Sequence, residues 1–179
     1  YDNPEELSVS DRNNIGYQYT DCPLYWISVI YLNFAEAKAE MGSLTQDDLN
    51  NSINKLQARA GLPAMTTTPD ADPANNMGVS NLIWEIRRCR RCELIMDNWY
   101  RYWDLIRWHQ LDKLDSTKYP NTMLGANVSN VPDCEEATKN GYIDASDAQI
   151  RTYEAKHYFY PIPTTQLTLN KNMKQNPGW

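Results

Sequence analysis

The chain has 179 residues, 41% of them hydrophobic and 22% charged, which is enough for one domain with a core of its own. A net charge of -6 argues against nucleic acid and disfavours anionic membrane surfaces as partners, because phosphate binding draws on an excess of Lys and Arg. No apolar run approaches the roughly 20 residues of a spanning helix, and no Walker loop, dinucleotide fingerprint, G-x-S-x-G elbow or H-E-x-x-H pair is present.

The chain opens on Tyr1, without Met or a signal segment, and reads as a piece whose start lies upstream. Residues 1–20 are polar and read as a loop or hairpin, with Tyr17 and Tyr19 near its end. Asp21 and Pro23 suit a helix start. The apolar, Ala-rich run Leu24 to Met41 then predicts a helix that Gly42 ends. Tyr31, Phe34, Ala35 and Lys38 recur on one face, which is expected to be buried. A second helix is expected from Thr45, with Asp47 and Asp48 at its positive end and Leu49, Ile53, Leu56 and Ala60 facing inward. Gly61 and Pro63 stop it. Two amphipathic helices on a short turn form an antiparallel pair, similar to one tetratricopeptide-like unit, which needs neighbours to cover it.

Residues 64–79 are a loop of Thr, Pro, Asp and Asn. Ser80 is placed to cap a third helix over roughly 81–97. Asn98 to Tyr102 reads as a break, and a fourth helix runs to about Leu111. The stretch 115–150 has no period and reads as ordered irregular loop anchored by Tyr119, Met123, Leu124, Val128, Val131 and Tyr142. Tyr158 to Pro163 is expected to be extended, since each Pro turns its predecessor away from helix. The fold class is therefore mainly α, with tetratricopeptide-like helical packing, a long irregular loop-rich region and an extended carboxy-terminal segment. Segments 24–59 and 80–111 are expected to be helical and to pack together.

The chemistry-bearing residues are few. Cys89 and Cys92 have C-x-x-C spacing, which fits a metal site, a redox pair or simply two small residues on a helix. A zinc site needs more ligands than the lone Cys22, Cys134, His109 and His157 offer by spacing, so the plain reading is favoured and no metal or cofactor is expected. Glu93 and Asp97, one turn apart, could form an acid/base pair. Their neighbours Arg87, Arg88, Arg90, Arg91, Arg101 and Arg107 favour ion pairing instead, with Arg90 spaced to meet Glu93 and Arg101 and Arg107 spaced to meet Asp104. The aromatic set is unusual, with 6 Trp and 12 Tyr against 2 Phe. Such rings combine an apolar face with a polar tip and suit sugar stacking as well as packing. Trp99, Tyr100, Tyr102 and Trp103 are read as packing, whereas Tyr17, Tyr19, Tyr119 and Tyr142, in loops, are the candidates to face a ligand.

Five segments in order carry a resemblance. They are Tyr31 to Ala37 (YLNFAEA), Ile53 to Pro63 (INKLQARAGLP), Ile86 to Leu94 (IRRCRRCEL), Arg101 to Trp108 (RYWDLIRW), and Tyr160 to Pro163 (YPIP) continuing through Asn170 to Gln175–Trp179 (QNPGW). Together they resemble the SusD/RagB family over nearly the whole chain, as its carboxy-terminal portion, with Trp179 as the terminus. Departures are local. Trp26 and Val29 stand where the family has an Arg and an acid, Cys89 stands for a Glu between arginines, and the linker at Asn98–Arg101 is one residue longer. The resemblance implies an α-helical lipoprotein on the outer face of the outer membrane, anchored through an absent amino-terminal lipid. It would bind oligosaccharide, or peptide in some members, and pass it to a SusC-like TonB-dependent transporter. It would catalyse nothing. The matched residues Arg87, Arg88, Arg90, Arg91, Glu93, Arg101, Trp103, Asp104, Trp108, Pro161 and Pro163 are implied to be framework, and no family binding residue is carried over. Asp115-Ser116-Thr117 resembles an O-glycosylation tripeptide of such bacteria, but short polar tripeptides occur by chance and a plain surface loop is the favoured reading. Two other classes compete: a helical glycoside hydrolase using Glu93 and Asp97, and an intracellular tetratricopeptide scaffold.

Overall fold

The computed structural model describes residues 25–96, 100–131, 138–144 and 149–179. The chain divides into two compact units, Tyr1–Ile95 and Met96–Trp179.

The first unit contains α1 (Ile27–Glu40), α2 (Gln46–Asn50), α3 (Ile53–Arg59) and α4 (Asn81–Glu93). Local chemistry sets most boundaries. Gly42, at φ +65°, takes the left-handed conformation that closes α1. Thr45 caps α2 in a reciprocal box: its hydroxyl accepts from the Asp48 amide, and the Asp48 carboxylate accepts from the Thr45 amide at 2.9 Å. That amide and the Thr45 hydroxyl hold the Asp48 carboxyl below its usual range. The Ser80 hydroxyl caps α4 by accepting from Ile83 N. α1 packs on α4 and on α3, and Leu32, Leu49, Ile53 and Ile86 are wholly buried between them.

Several boundaries differ from the sequence expectation. The second helix is two, broken at Asn51–Ser52, where the Ser52 hydroxyl bonds back to Asp48 O and competes with the helix ladder. α4 stops at Glu93, and Met96 carries a positive φ. The buried face of α1 is Ser28, Val29, Leu32, Ala35 and Glu36, while Phe34 is 43% exposed and Ala60 after α3 is also exposed. α1 is apolar on more than one face, so spacing alone did not fix which face turns inward.

The second unit contains α5 (Tyr100–Arg107), 3-10 turns at Leu111–Leu114, Pro120–Met123 and Ala155–Tyr158, and α6 (Thr164–Leu169). Between them lies a small antiparallel sheet, β1 (Leu124–Asn127), β2 (Thr138–Lys139) and β3 (Tyr142–Asp144), in the order β1-β3-β2. This sheet corrects the expectation of purely irregular structure over 115–150. Its strands are two to four residues long, too short for a period-two pattern to show. Gly141 turns β2 into β3 at φ +78°, and a Cβ there would lie 2.2 Å from Ser129 Oγ. Leu105, Trp108 and Leu111 form the core of this unit.

Candidate functional site

Several arginines of the helices make ion pairs and hydrogen bonds between elements. Arg87 is buried on α4, with Nε 3.5 Å from Glu36 and Nη2 3.1 Å from Glu40, and so ties α4 to α1. Arg90 donates to Asn33 Oδ1 at 2.8 Å, reinforcing the same seam. Arg88 pairs with Glu85 within α4, and Arg91 is exposed. Glu93 is not held by Arg90 as its spacing suggested. It receives Arg59 Nη2 on both oxygens, at 2.6 and 2.7 Å, from a residue 34 positions away. In the second unit Asp104 accepts from Arg107 at 2.9 Å, and Trp108 lies beneath two guanidiniums, Arg107 at 4.7 Å and Arg101 at 5.9 Å from its ring.

Asp97, the other half of the acid/base reading, falls outside the described residues, as do Tyr17, Tyr19, Cys22, Trp99 and Cys134. Cys89 and Cys92 are free thiols. Burial, then the nearby Glu93, pushes the Cys89 thiol up to about 12. Among the described residues no group of three or more Cys, His or carboxylates is gathered for a metal.

A cleft of about 380 Å³ lies in the second unit, within the range of small-molecule sites. The carboxy-terminal segments build it through side-chain amides. Gln175 faces Ile162 like a strand partner, accepting from Ile162 N at 2.8 Å and donating to Ile162 O at 3.0 Å. Asn176 donates to Tyr160 O at 2.7 Å. Gly178, at φ +87°, brings the chain within 2.9 Å of Lys156 Cβ, measured from where its own Cβ would stand. Trp179 then reaches back, its indole N–H donating to Phe159 O at 3.0 Å and to Lys156 O at 3.2 Å. The result is a ring of aromatic faces: Trp179, Phe159 and Tyr160 are 46, 53 and 66% exposed, and the Tyr160 hydroxyl meets that of Tyr102 at 3.2 Å. That hydrogen bond raises the Tyr102 phenol above its ordinary range.

Ring contacts and hydrogen bonds hold the residues beneath the rim. Tyr153 stacks edge-on against Tyr158 at 5.8 Å, and burial pushes its phenol up to about 12. Tyr158 accepts from Leu111 N at 3.3 Å. His157 lies 5.9 Å from the Trp179 ring, and its Nδ1 accepts from Glu154 N at 3.0 Å, which places its proton on Nε2. Arg151 and Thr152 contribute other polar groups of the lining, which among the described residues includes no Asp or Glu.

Of the ligand candidates named from sequence, Tyr119 and Tyr142 are half-buried away from this cleft. Tyr119 accepts from Lys113 Nζ at 2.9 Å, with the same ammonium 4.5 Å from its ring. Tyr142 lies on β3 opposite Asn127 and Lys139. Of the framework motif, Pro161 lines the cleft and Pro163 begins α6, while Trp103 is 55% exposed beside Tyr102. The signal for the cleft was the run Tyr158-Phe159-Tyr160 before Pro161. Tyr158 closes the 3-10 turn Ala155–Tyr158, so only Phe159 and Tyr160 of that run continue into extended chain, and both line the cleft.

A second cavity, about 390 Å³, lies in the first unit beside the loop that follows α3. Its Glu85 is committed to Arg88 and its Met65 to Asn54, so it reads as the seat of that loop.

Residues 6–179 match the SusD family, and the chain belongs to that family. Its fold is also similar to the crystal structure of a SusD-like protein from Bacteroides fragilis NCTC 9343, with a TM-score of 0.57 and 24% identity over 85% of this chain. The chain spans about a quarter of that protein's length, 25% of it. No curated protein matches.

Proposed function

We propose that this chain is part of a cell-surface nutrient-binding subunit, which holds oligosaccharide at the outer face of the outer membrane for a SusC-like TonB-dependent transporter. Membership of the SusD family over residues 6–179 carries this reading. The subunit binds and delivers, and turns nothing over. The Arg59 clamp on Glu93 is in keeping with this, because both carboxylate oxygens are engaged in tying α3 to α4. Isothermal titration of the intact protein against a panel of glycans and peptides tests the reading, together with growth of a deletion strain on the glycan that binds. Micromolar binding of one glycan class and loss of growth on it are the expected results. Binding of peptides alone would move the protein to the peptide-binding members of the family. Failure of surface protease to reach it on whole cells would favour the intracellular scaffold.

A further inference from the structure

We infer that the carboxy-terminal cleft is an acidic-sugar subsite, in which a pyranose ring stacks on the aromatic faces and its carboxylate or sulfate group pairs with Arg151; this rests on the nutrient-binding reading above. Three observations converge. First, Phe159, Tyr160 and Trp179 leave about half or more of their surface open around one cavity, although each is fixed through its backbone or indole. Rings held in place but uncovered stack a sugar's C–H face without further loss of side-chain freedom. Second, the polar groups at the rim (the paired hydroxyls of Tyr102 and Tyr160, Thr152, and His157 with its proton on Nε2) suit sugar hydroxyls. Third, the local charge runs against the protein as a whole. The chain carries a net charge of -6, yet among the described residues no carboxylate lines this cleft.

Arg151 is the key residue. Its backbone is fixed at both ends to Ser116, with its amide donating to Ser116 Oγ at 3.0 Å and its carbonyl accepting from Ser116 N at 2.9 Å. Its guanidinium forms no ion pair among the described residues. Lys156, by contrast, is already engaged by Glu154 at 3.3 Å and by the Trp179 ring. A planar, uncommitted guanidinium on an anchored backbone is the group best suited to bidentate recognition of a carboxylate or sulfate.

The test is titration of the intact protein with tetragalacturonate, a sulfated galactan tetrasaccharide and cellotetraose, for wild type, Arg151→Gln and Tyr160→Ala. Both side chains are exposed at the rim, so the variants should fold, and circular dichroism checks this. Arg151→Gln should weaken the acidic oligosaccharide about tenfold or more and flatten the salt dependence of its binding, leaving cellotetraose unchanged. Tyr160→Ala should weaken whichever sugar binds. The tetragalacturonate and sulfated-galactan arms separate a carboxylate from a sulfate. If wild type binds glycan and both variants bind it equally well, the subsite is wrong and the nutrient-binding reading stands. If wild type binds cellotetraose but neither acidic probe, the Arg151 assignment is overturned. If it binds no glycan of the wider panel, both readings fail.

Discussion

Asn54 and Gln175 do with a carboxamide what a neighbouring strand does with its backbone. Asn54 is buried, accepts from Met65 N at 2.7 Å and donates to Met65 O at 3.1 Å, thereby seating the loop after α3. Asn54→Ala strands both buried groups and should cost about 1–3 kcal/mol in denaturant unfolding; Asn54→Asp keeps the shape but turns a carboxylate oxygen toward the Met65 carbonyl and should fare no better. Asp115 plays a similar part in the second unit. Its carboxylate accepts from the Thr117 hydroxyl and amide and from Tyr153 N, which holds its pKa down at about 2. An unfolded Asp titrates near about 3.9, so between those values the unfolded chain binds the extra proton. The stabilisation is complete above about pH 4 and is lost as pH falls through about 2. Thermal melts from pH 6 to pH 2 should show this loss in wild type and a flatter acid limb in Asp115→Asn. The same contacts account for the Asp115-Ser116-Thr117 tripeptide as a turn that orders the cleft floor. The two thiols of α4 should separate chemically. Burial holds Cys89 protonated while Cys92 is exposed, so peptide mapping after brief alkylation at pH 8 should find Cys92 modified well before Cys89.

At the scale of elements, the tail Gln175–Trp179 behaves as a latch. Two amides pin residues 160–162, Gly178 provides a turn that a side chain would resist, and Trp179 closes on two carbonyls. Gly178→Ala forces a Cβ toward Lys156 in a left-handed conformation and should cost about 1–2 kcal/mol or more. The accompanying sign is a shifted Trp179 indole N–H resonance. Capping at Thr45 and Ser80 was legible because donor and acceptor lie three residues apart. The three-stranded sheet was not, because Leu124 pairs with Asp144 and Asn127 with Tyr142, across residues that carry no local strand signal.

At the scale of the molecule, the first unit is held by one small core and a belt of charge. Leu32 is wholly buried where α1 packs on α4, and Leu32→Ala should lower stability by about 2–5 kcal/mol in urea titration. Around that core Arg87 joins α4 to Glu36 and Glu40 of α1, and Arg59 joins α3 to Glu93 of α4. Arg87, Arg59 and Glu93 of the sequence motifs therefore lie on the seams between helices. The open aromatic cleft lies in the second unit, which the same motifs only partly cover.

The sequence by itself determined the main helices in their order, the caps at Thr45 and Ser80 and the family, since each depends on residues close in the chain or on segments in fixed order. Tertiary structure alone decided which face of α1 is buried, that Glu93 belongs to Arg59, and that Arg151, Phe159, Tyr160 and Trp179 surround one cavity. The physical reason is range. Capping and backbone preference act within one turn of helix, whereas burial and ion pairing are settled by whichever distant side chain folding brings within about 4 Å.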